Sequence, residues 1–326
     1  MVTTTPLTAS LKSWILPVLL SMASLSLPSQ AAPQVSQLYQ FTYPTAVENL
    51  ISLPNGCLLL STSASDLYYI DPEALYPAAQ NVISLPDSIR LTGLAALGDG
   101  FYAVAGSVSP PSNSRGCMQV YVIKVETEGL VNVTVDHVIE VPNTVSIGGI
   151  ATLPSQSHTI LGADSIGGRI LRINTSDGTV SVAVEHATAR GVKGLKTRGG
   201  YLYFTNSAQR IFGRFPIDAN GTNTGDVEIL ASIDEAYGRD ASYNDFSFDD
   251  EGNAFVAVHP SSVHKITPDG VQSVFAGGVN STMLGPTSAV VSSNEKAIYI
   301  STAGKDTGFP ISGGQVLKVP VGGTCT

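Results

Sequence analysis

Residues 245–258 read DFSFDDEGNAFVAV, which joins an alternating strand, a tight Asp/Gly turn and a second, apolar strand. Residues 48–62, ENLISLPNGCLLLST, repeat this unit around an Asn-Gly turn. Weaker copies of the same unit occupy four further segments, at residues 93–105, 149–163, 194–206 and 287–302. Copies that recur every 40 to 50 residues or so are typical of β-propellers, and six of them predict six blades.

Each unit continues into two further predicted strands. A third strand with a polar start and an aliphatic body occurs at residues 67–71, 169–173 and 263–266, and a fourth at residues 272–276. Four antiparallel strands repeated radially form the blades of an all-β propeller. The last unit has only three strands, so we expect residues 37–41, which precede the first unit, to close the ring.

The start of the chain has the pattern of an export signal. Lys12 precedes an apolar run that begins at residues 14–20, and small residues suited to cleavage follow at residues 29–31. The run is too short to span a bilayer. We therefore predict a signal peptide at residues 1–31 and a single secreted propeller domain at residues 32–326.

Composition argues against polyanionic partners. Charged residues make up 13% of the chain and the net charge is −9, which provides no basic face for nucleic acid or anionic lipid. No later stretch reaches the roughly 18 apolar residues of a membrane helix. Four sequons predict surface glycosylation in a secretory route, at Asn132, Asn174, Asn220 and Asn280.

The three cysteines are too few for a fold built on disulfides, and their spacing is not that of a zinc site. In an oxidising compartment they predict one disulfide and one free thiol. Strand direction places Cys57 and Cys325 at the bottom of neighbouring blades and Cys117 at the top. The sequence therefore predicts a Cys57–Cys325 bridge.

The candidate site follows from the direction of the strands. If the innermost strand of each blade descends from the top, its start and the end of the second strand both face the mouth of the central channel. Convergent polar groups in a concave mouth are the default position for a ligand site. These positions hold Glu48, Thr92, Gly148, Lys193, Asp245 and Thr287, with Ser63, Ser107, Asp164, Asn206, His259 and Thr302.

The repeats resemble the family of regucalcin and the gluconolactonases. The likeness covers nearly all of the predicted domain, and its more specific pieces are NDF at 244–246 before DEGN at 250–253, DS at 164–165 before GRI at 168–170, and GPTS at 285–288. The resemblance implies a divalent cation, usually calcium, held by a Glu, two Asn and an Asp, which would polarise a lactone carbonyl.

Only part of that ligand set is present. Glu48 and Asp245 match the two carboxylates, whereas Gly148 and Lys193 stand where the resemblance would place asparagines. Two lost oxygen ligands and an added ammonium group disfavour a cation. We expect no metal or other cofactor, and calcium or another divalent cation is the alternative.

The chain also resembles a narrower group, signal-bearing fungal propellers of secondary-metabolite clusters, some of which act as intermolecular hetero-Diels–Alderases in tropolonic sesquiterpene biosynthesis. This likeness rests on the export signal, the opening at residues 49–56, the motif at residues 285–288 and the missing asparagines. It implies a cycloaddition between a quinone-methide tropolone and a humulene-type alkene. The partners would then be small hydrophobic molecules.

Such a reaction needs a hydrogen-bond donor near the oxygen that gains electron density. Lys193, Asn206, His259 and Thr287 are the candidates, although Asn206 and Thr287 could instead cap strand ends. Glu48 and Asp245 could serve as proton acceptor or acid, or could form ion pairs with Lys193. Predicted contacts with the substrate are the apolar walls Tyr243, Phe246 and Met283 and the polar groups Ser63, Asp164 and Thr302.

Two other functions fit the sequence. A metal-dependent lactone hydrolase is the first alternative, and a secreted propeller that binds a ligand without chemistry is the second. Metal analysis and the effect of chelation on activity would separate a hydrolase from a cyclase.

Overall fold

The computed structural model describes residues 1–2, 33–109, 117–305 and 311–322. The predicted cleavage site and nearly all of the predicted signal peptide lie outside these residues, so the signal stays a prediction. Helical structure in the described residues consists of two 3-10 turns, Ala187–Ala189 and Glu235–Tyr237. No helix in this part of the chain is long and apolar enough to cross a membrane.

The strands form six four-stranded antiparallel sheets, which confirms the predicted six-bladed propeller. The chain begins with β1 (Ser36–Gln40). The first blade contains β2 (Val47–Ser52), β3 (Leu58–Thr62), β4 (Asp66–Ile70) and β5 (Gln80–Ser84). The second contains β6 (Ser88–Gly98), β7 (Phe101–Val108), β8 (Cys117–Glu126) and β9 (Asn132–Val141). The third contains β10 (Ile147–Leu153), β11 (Gln156–Asp164), β12 (Arg169–Asn174) and β13 (Val180–Glu185).

The remaining blades follow the same plan. The fourth contains β14 (Val192–Arg198), β15 (Tyr201–Asn206), β16 (Ile211–Pro216) and β17 (Glu228–Ser232). The fifth contains β18 (Ser242–Phe248), β19 (Ala254–His259), β20 (Ser262–Ile266) and β21 (Gln272–Gly277). The sixth contains β22 (Pro286–Val291), β23 (Ala297–Thr302) and β24 (Gln315–Pro320). β1 pairs with β24 and completes the sixth blade, so the N-terminal strand closes the ring as predicted.

Each pair of neighbouring blades encloses its own hydrophobic core. Six clusters of buried side chains lie between the blades, one at each of the six blade interfaces. The cluster between the sixth and first blades includes Phe41, Val47 and Tyr299, so apolar burial also supports the closure of the ring.

Every innermost strand carries a β-bulge at the same level. The pairing of the first and second strands shifts by one residue in each blade, at Val47/Asn49, Leu91/Leu94, Ile147/Ile150, Val192/Leu195, Tyr243/Phe246 and Pro286/Ser288. A bulge adds an unpaired residue and redirects its side chain. The six bulges coincide with the positions predicted to face the mouth.

A circle of hydrogen bonds joins these bulges, and we call it the hub ring. In each bond a side chain of one blade donates to a backbone carbonyl at the bulge of the next blade. The six bonds are Thr287 Oγ1 to Val47 O (2.7 Å), Ser61 Oγ to Thr92 O (2.6 Å), Thr92 Oγ1 to Ile147 O (2.7 Å), Ser165 Oγ to Val192 O, Ser207 Oγ to Tyr243 O (2.5 Å) and Asn244 Nδ2 to Pro286 O (2.9 Å).

The cysteines and sequons stay predictions. Cys57 is buried, but Cys325 lies outside the described residues and the Cys117 side chain is not described, so their pairing is not tested. The sequon residues Asn132, Asn220 and Asn280 are exposed and Asn174 is partly exposed.

The hub ring gives a stability prediction. Thr287→Val keeps the shape of the side chain but removes the donor to Val47 O, which leaves a part-buried carbonyl unpaired. We expect the free energy of unfolding to fall by about 1 to 2 kcal/mol. Thr287→Ser keeps a hydroxyl donor and should retain most of the wild-type free energy of unfolding. Thr224→Val, at an exposed site, should change the free energy of unfolding by less than about 0.5 kcal/mol. Urea unfolding measures all three, and a Thr287→Val protein as stable as the wild type would contradict this role.

Candidate functional site

The bulges surround a cavity of about 290 Å³ at the mouth of the channel. All six predicted inner-strand positions line it, namely Glu48, Thr92, Gly148, Lys193, Asp245 and Thr287. Of the second predicted set, Ser107 lines it too. The sequence interpretation missed several lining residues, among them Asn49, Arg90, Met118, Val145 and Asn244.

Glu48 forms an ion pair with Arg90. The distance from Arg90 Nη2 to Glu48 Oε1 is 2.7 Å, and the Glu48 side chain is only 15% exposed. The sequence interpretation gave an ion pair with Lys193 as the alternative to a functional role, and in the structure Glu48 pairs with Arg90 instead. Arg90 lies on β6, the innermost strand of the neighbouring blade, and lines the mouth.

Asp245 forms a separate, buried cluster at the base of the cavity. Its Oδ1 and Oδ2 lie 2.9 and 3.1 Å from Lys196 Nζ, and Asn49 Nδ2 donates to Oδ2 at 2.8 Å. Lys196 also lies over the Phe246 ring, 5.4 Å from its centroid. The counter-ion of Asp245 is therefore Lys196, and not Lys193, which the sequence interpretation gave as one of two alternatives.

This cluster lies between two cavities. Asn49 and Asp245 line the mouth, whereas Lys196 lines a second cavity of about 310 Å³ together with Arg198 and Phe248. The ion pair therefore forms part of the floor of the mouth.

Lys193 is the cation of the mouth without a counter-ion in the described chain. It makes no hydrogen bond or ion pair with any residue that the structure describes, and its side chain faces the open cavity. Burial of the ammonium group lowers the pKa of Lys193, and Arg90 lowers it further, while Glu48 partly opposes both effects. Burial and the charge of Lys193 also lower the pKa of His259, which favours a neutral ring.

The side chains of Asn206 and Asp164 form hydrogen bonds with neighbouring residues of the described chain. Asn206 is fully buried, and its Nδ2 donates to Thr188 O at 2.8 Å and to Arg190 O at 2.7 Å. Asp164 is 1% exposed and accepts a hydrogen bond from Arg169 Nε at 2.9 Å. Neither side chain lines the mouth cavity.

Ser63 and Thr302 bond to the backbone. Ser63 Oγ accepts from Ala46 N at 2.9 Å, and Thr302 Oγ1 accepts from Gln315 N at 2.8 Å. These two residues and His259 lie outside the lining of the mouth.

The predicted apolar walls lie between the blades. Tyr243, Phe246 and Met283 are at most 1% exposed and belong to the inter-blade cores, not to the lining of the mouth. Val145, which is 49% exposed, provides apolar lining instead, whereas Met118 borders the cavity but is 1% exposed and packs in the core between the second and third blades. Met118 follows a sequence segment without clear periodicity, and Val145 lies in a loop. The sequence pattern therefore did not identify either residue as part of the lining.

The residues present do not fit the calcium site that the family resemblance implies. Glu48 and Asp245 are already paired with Arg90 and Lys196, and Lys193 adds a positive charge to the same cavity. In the described part of the chain, no group of three or more His, Cys, Asp and Glu side chains could hold a metal ion.

Comparison with known proteins supports both resemblances. No family model matches the sequence. The chain is 26% identical over 298 residues to a protein of Phoma sp. described as "Putative hetero-Diels-Alderase", covering 79% of this chain and 83% of the relative.

Solved structures show the fold. Regucalcin from Agrobacterium tumefaciens, described as a calcium-binding protein, has a TM-score of 0.61 at 14% identity, covering 88% of this chain and 93% of that one. A luciferin-regenerating enzyme has a TM-score of 0.63 at 16% identity, covering 89% and 96%. The resemblance to regucalcin-like propellers and to a hetero-Diels–Alderase is thereby confirmed.

The Asp245 cluster gives a prediction about the floor of the mouth. Lys196→Met removes the ammonium group and leaves a buried carboxylate with Asn49 as its partner. We expect a loss of about 2 kcal/mol in the free energy of unfolding, because an unpaired buried charge is costly. The double variant Lys196→Met/Asp245→Asn should recover part of it.

Lys265→Met is the matched control. Lys265 also lies over an aromatic ring, that of Phe255, 5.8 Å from the centroid, and has no ion pair in the described residues. Urea unfolding of all variants tests the cluster. A double variant that is less stable than Lys196→Met would contradict the charge argument.

Proposed function

We propose that this protein is a secreted enzyme of fungal natural-product biosynthesis that catalyses an intermolecular hetero-Diels–Alder cycloaddition. The similarity to the Phoma protein, over most of both chains, is the observation that carries the proposal. The likeness to solved propellers supports the fold and not the reaction.

We propose a quinone-methide tropolone as the heterodiene and a humulene-type alkene as its partner. The reaction forms one carbon–carbon and one carbon–oxygen bond, closes a dihydropyran ring and releases no atom. Electrons are redistributed between the two partners without net oxidation or reduction. The proposal therefore invokes neither a metal nor a redox cofactor.

The first contribution of the mouth is proximity. Two partners held in register avoid most of the entropic cost of a bimolecular encounter, which is worth several kcal/mol, up to about 7 to 11 in the best cases. Val145, which is 49% exposed, offers apolar surface for an alkene, and Gly148 and Gly149 contribute backbone to the lining.

The second contribution is electrostatic. The oxygen of the heterodiene gains electron density as the carbon–oxygen bond forms, and a donor at that atom stabilises the transition state. Lys193 is suited to this role because its ammonium group has no partner in the described chain. Thr287 and Thr92 are less suited, since their hydroxyl groups already donate within the hub ring.

The carboxylates have a positioning role in this proposal. Glu48 is paired with Arg90 and Asp245 with Lys196, so both carboxylates already have cationic partners. They keep two cations in fixed places around Lys193. We propose that they shape the electrostatic field of the mouth without exchanging protons with the substrate.

The proposed function is tested by incubating the purified secreted protein with a tropolonic quinone-methide precursor and humulene. We expect one stereoisomer of the dihydropyran adduct, at a rate above the uncatalysed reaction and insensitive to EDTA. Lys193→Met should lower kcat about 100-fold, as expected for loss of one preorganised donor. Chiral chromatography of the product measures rate and selectivity together.

Lys124→Met serves as the control, because Lys124 lies over the Phe101 ring, 5.5 Å from its centroid and outside the lining of the mouth. It should retain wild-type activity. A racemic adduct at the background rate would refute the cyclase. Hydrolysis of a lactone that depends on calcium and is abolished by EDTA would support the hydrolase instead, and saturable binding without turnover would support a binding protein.

A further inference from the structure

The charges around the mouth do not balance. Arg90, Lys193 and Lys196 face Glu48 and Asp245, so three cations meet two carboxylates in the described residues and one positive charge remains. This excess is local, since the chain as a whole carries a net charge of −9. An anion would therefore be attracted by the mouth in particular and not by the overall field of the protein.

A change of partners inside the mouth does not remove the excess. Glu48 is paired with Arg90 at 2.7 Å, and if it moved to Lys193, Arg90 would lose its counter-ion. Asp245 is bound by Lys196 and Asn49 at the floor and accepts three hydrogen bonds there. Among the residues that the structure describes, one cation is left without a carboxylate in either arrangement.

Glu48 and Asp245 are the acidic residues among the described residues that line the mouth. His259, whose pKa is lowered by burial and by Lys193, contributes no negative charge. The hydroxyl groups of Thr92 and Thr287 donate to backbone carbonyls, and Met118 and Val145 are apolar. Lys193 is an exposed residue that lines the mouth, and desolvation of its ammonium group there lowers its pKa. A ligand anion would pair with the charged form of the group.

We propose that the mouth binds its ring-shaped substrate as an oxygen anion, a planar conjugated ring whose ionised enol oxygen pairs with Lys193 Nζ. This inference rests on the proposed function for the nature of the reaction but not for the binding itself. The ammonium group has three N–H donors, so it can contact the ionised oxygen and the adjacent ring carbonyl together. Pairing also withdraws electron density from the anion, which keeps the ring receptive to the alkene.

Calorimetric titration with tropolone tests the inference. Tropolone is a planar ring with an acidic enol hydroxyl, and its methyl ether, 2-methoxytropone, has the same ring but cannot ionise. In buffer with EDTA, and at a pH where tropolone is ionised, we expect the wild type to bind tropolone at least about tenfold more tightly than the ether, the ratio that 1.4 kcal/mol provides. Equal affinity for the two probes would overturn the proposal.

Three variants identify the cation. Lys193→Met should weaken tropolone binding about 30-fold, as expected when one partner of a desolvated charge pair is removed, and should leave binding of the ether unchanged. Lys193→Arg should keep the preference for tropolone, and Lys124→Met should behave as the wild type. Loss of tropolone binding in Arg90→Met, with Lys193→Met unaffected, would overturn the assignment. Equal thermal unfolding midpoints would show that the variants are folded.

The two proposals fail in different ways. Charge-dependent binding of tropolone through Lys193 without any cycloaddition would support the anion site and refute the cyclase. Stereoselective cycloaddition by a protein that shows no preference between tropolone and its ether would support the cyclase and refute the anion site.

Discussion

The structure depends on how the innermost strands pair their backbone at the channel. A bulge interrupts the ladder in each of these strands, and a carbonyl freed in this way needs a donor. The hub ring provides one in every blade, with a side chain of the preceding blade donating to the bulge of the next. The circle runs through all six blades, so each bulge is fixed by its neighbour.

The hub ring also uses several of the hydrogen-bond donors at the mouth, so they are not free to bind a ligand. Thr92, Asn244 and Thr287 face the mouth, yet their donors are used between blades. Glu48 and Asp245 have their own cations. Lys193 remains as the cation of the mouth that has no carboxylate partner in the described residues, and this singles it out for both proposals. Rigid surroundings suit a cycloaddition, where orientation accounts for much of the barrier.

The sequence predicted the ring of blades and the six positions at the mouth, because both follow from the period of the repeat. It did not predict the partners of those residues. The bulge in β18 turns both Asn244 and Asp245 toward the mouth and sends Phe246 between the blades, which simple alternation does not anticipate. Arg90 and Lys196 form ion pairs with carboxylates on neighbouring blades. The spacing of residues along the sequence does not predict such contacts between blades.

A crystal structure of the protein with tropolone tests the central claim most directly, since it shows the hub ring and the ligand together. The account predicts a ring bound in the mouth with an oxygen within hydrogen-bond distance of Lys193 Nζ, and intact Glu48–Arg90 and Asp245–Lys196 pairs. Tropolone bound outside the mouth would contradict this account. So would a complex in which Lys193 pairs with Glu48 and makes no contact with the ligand.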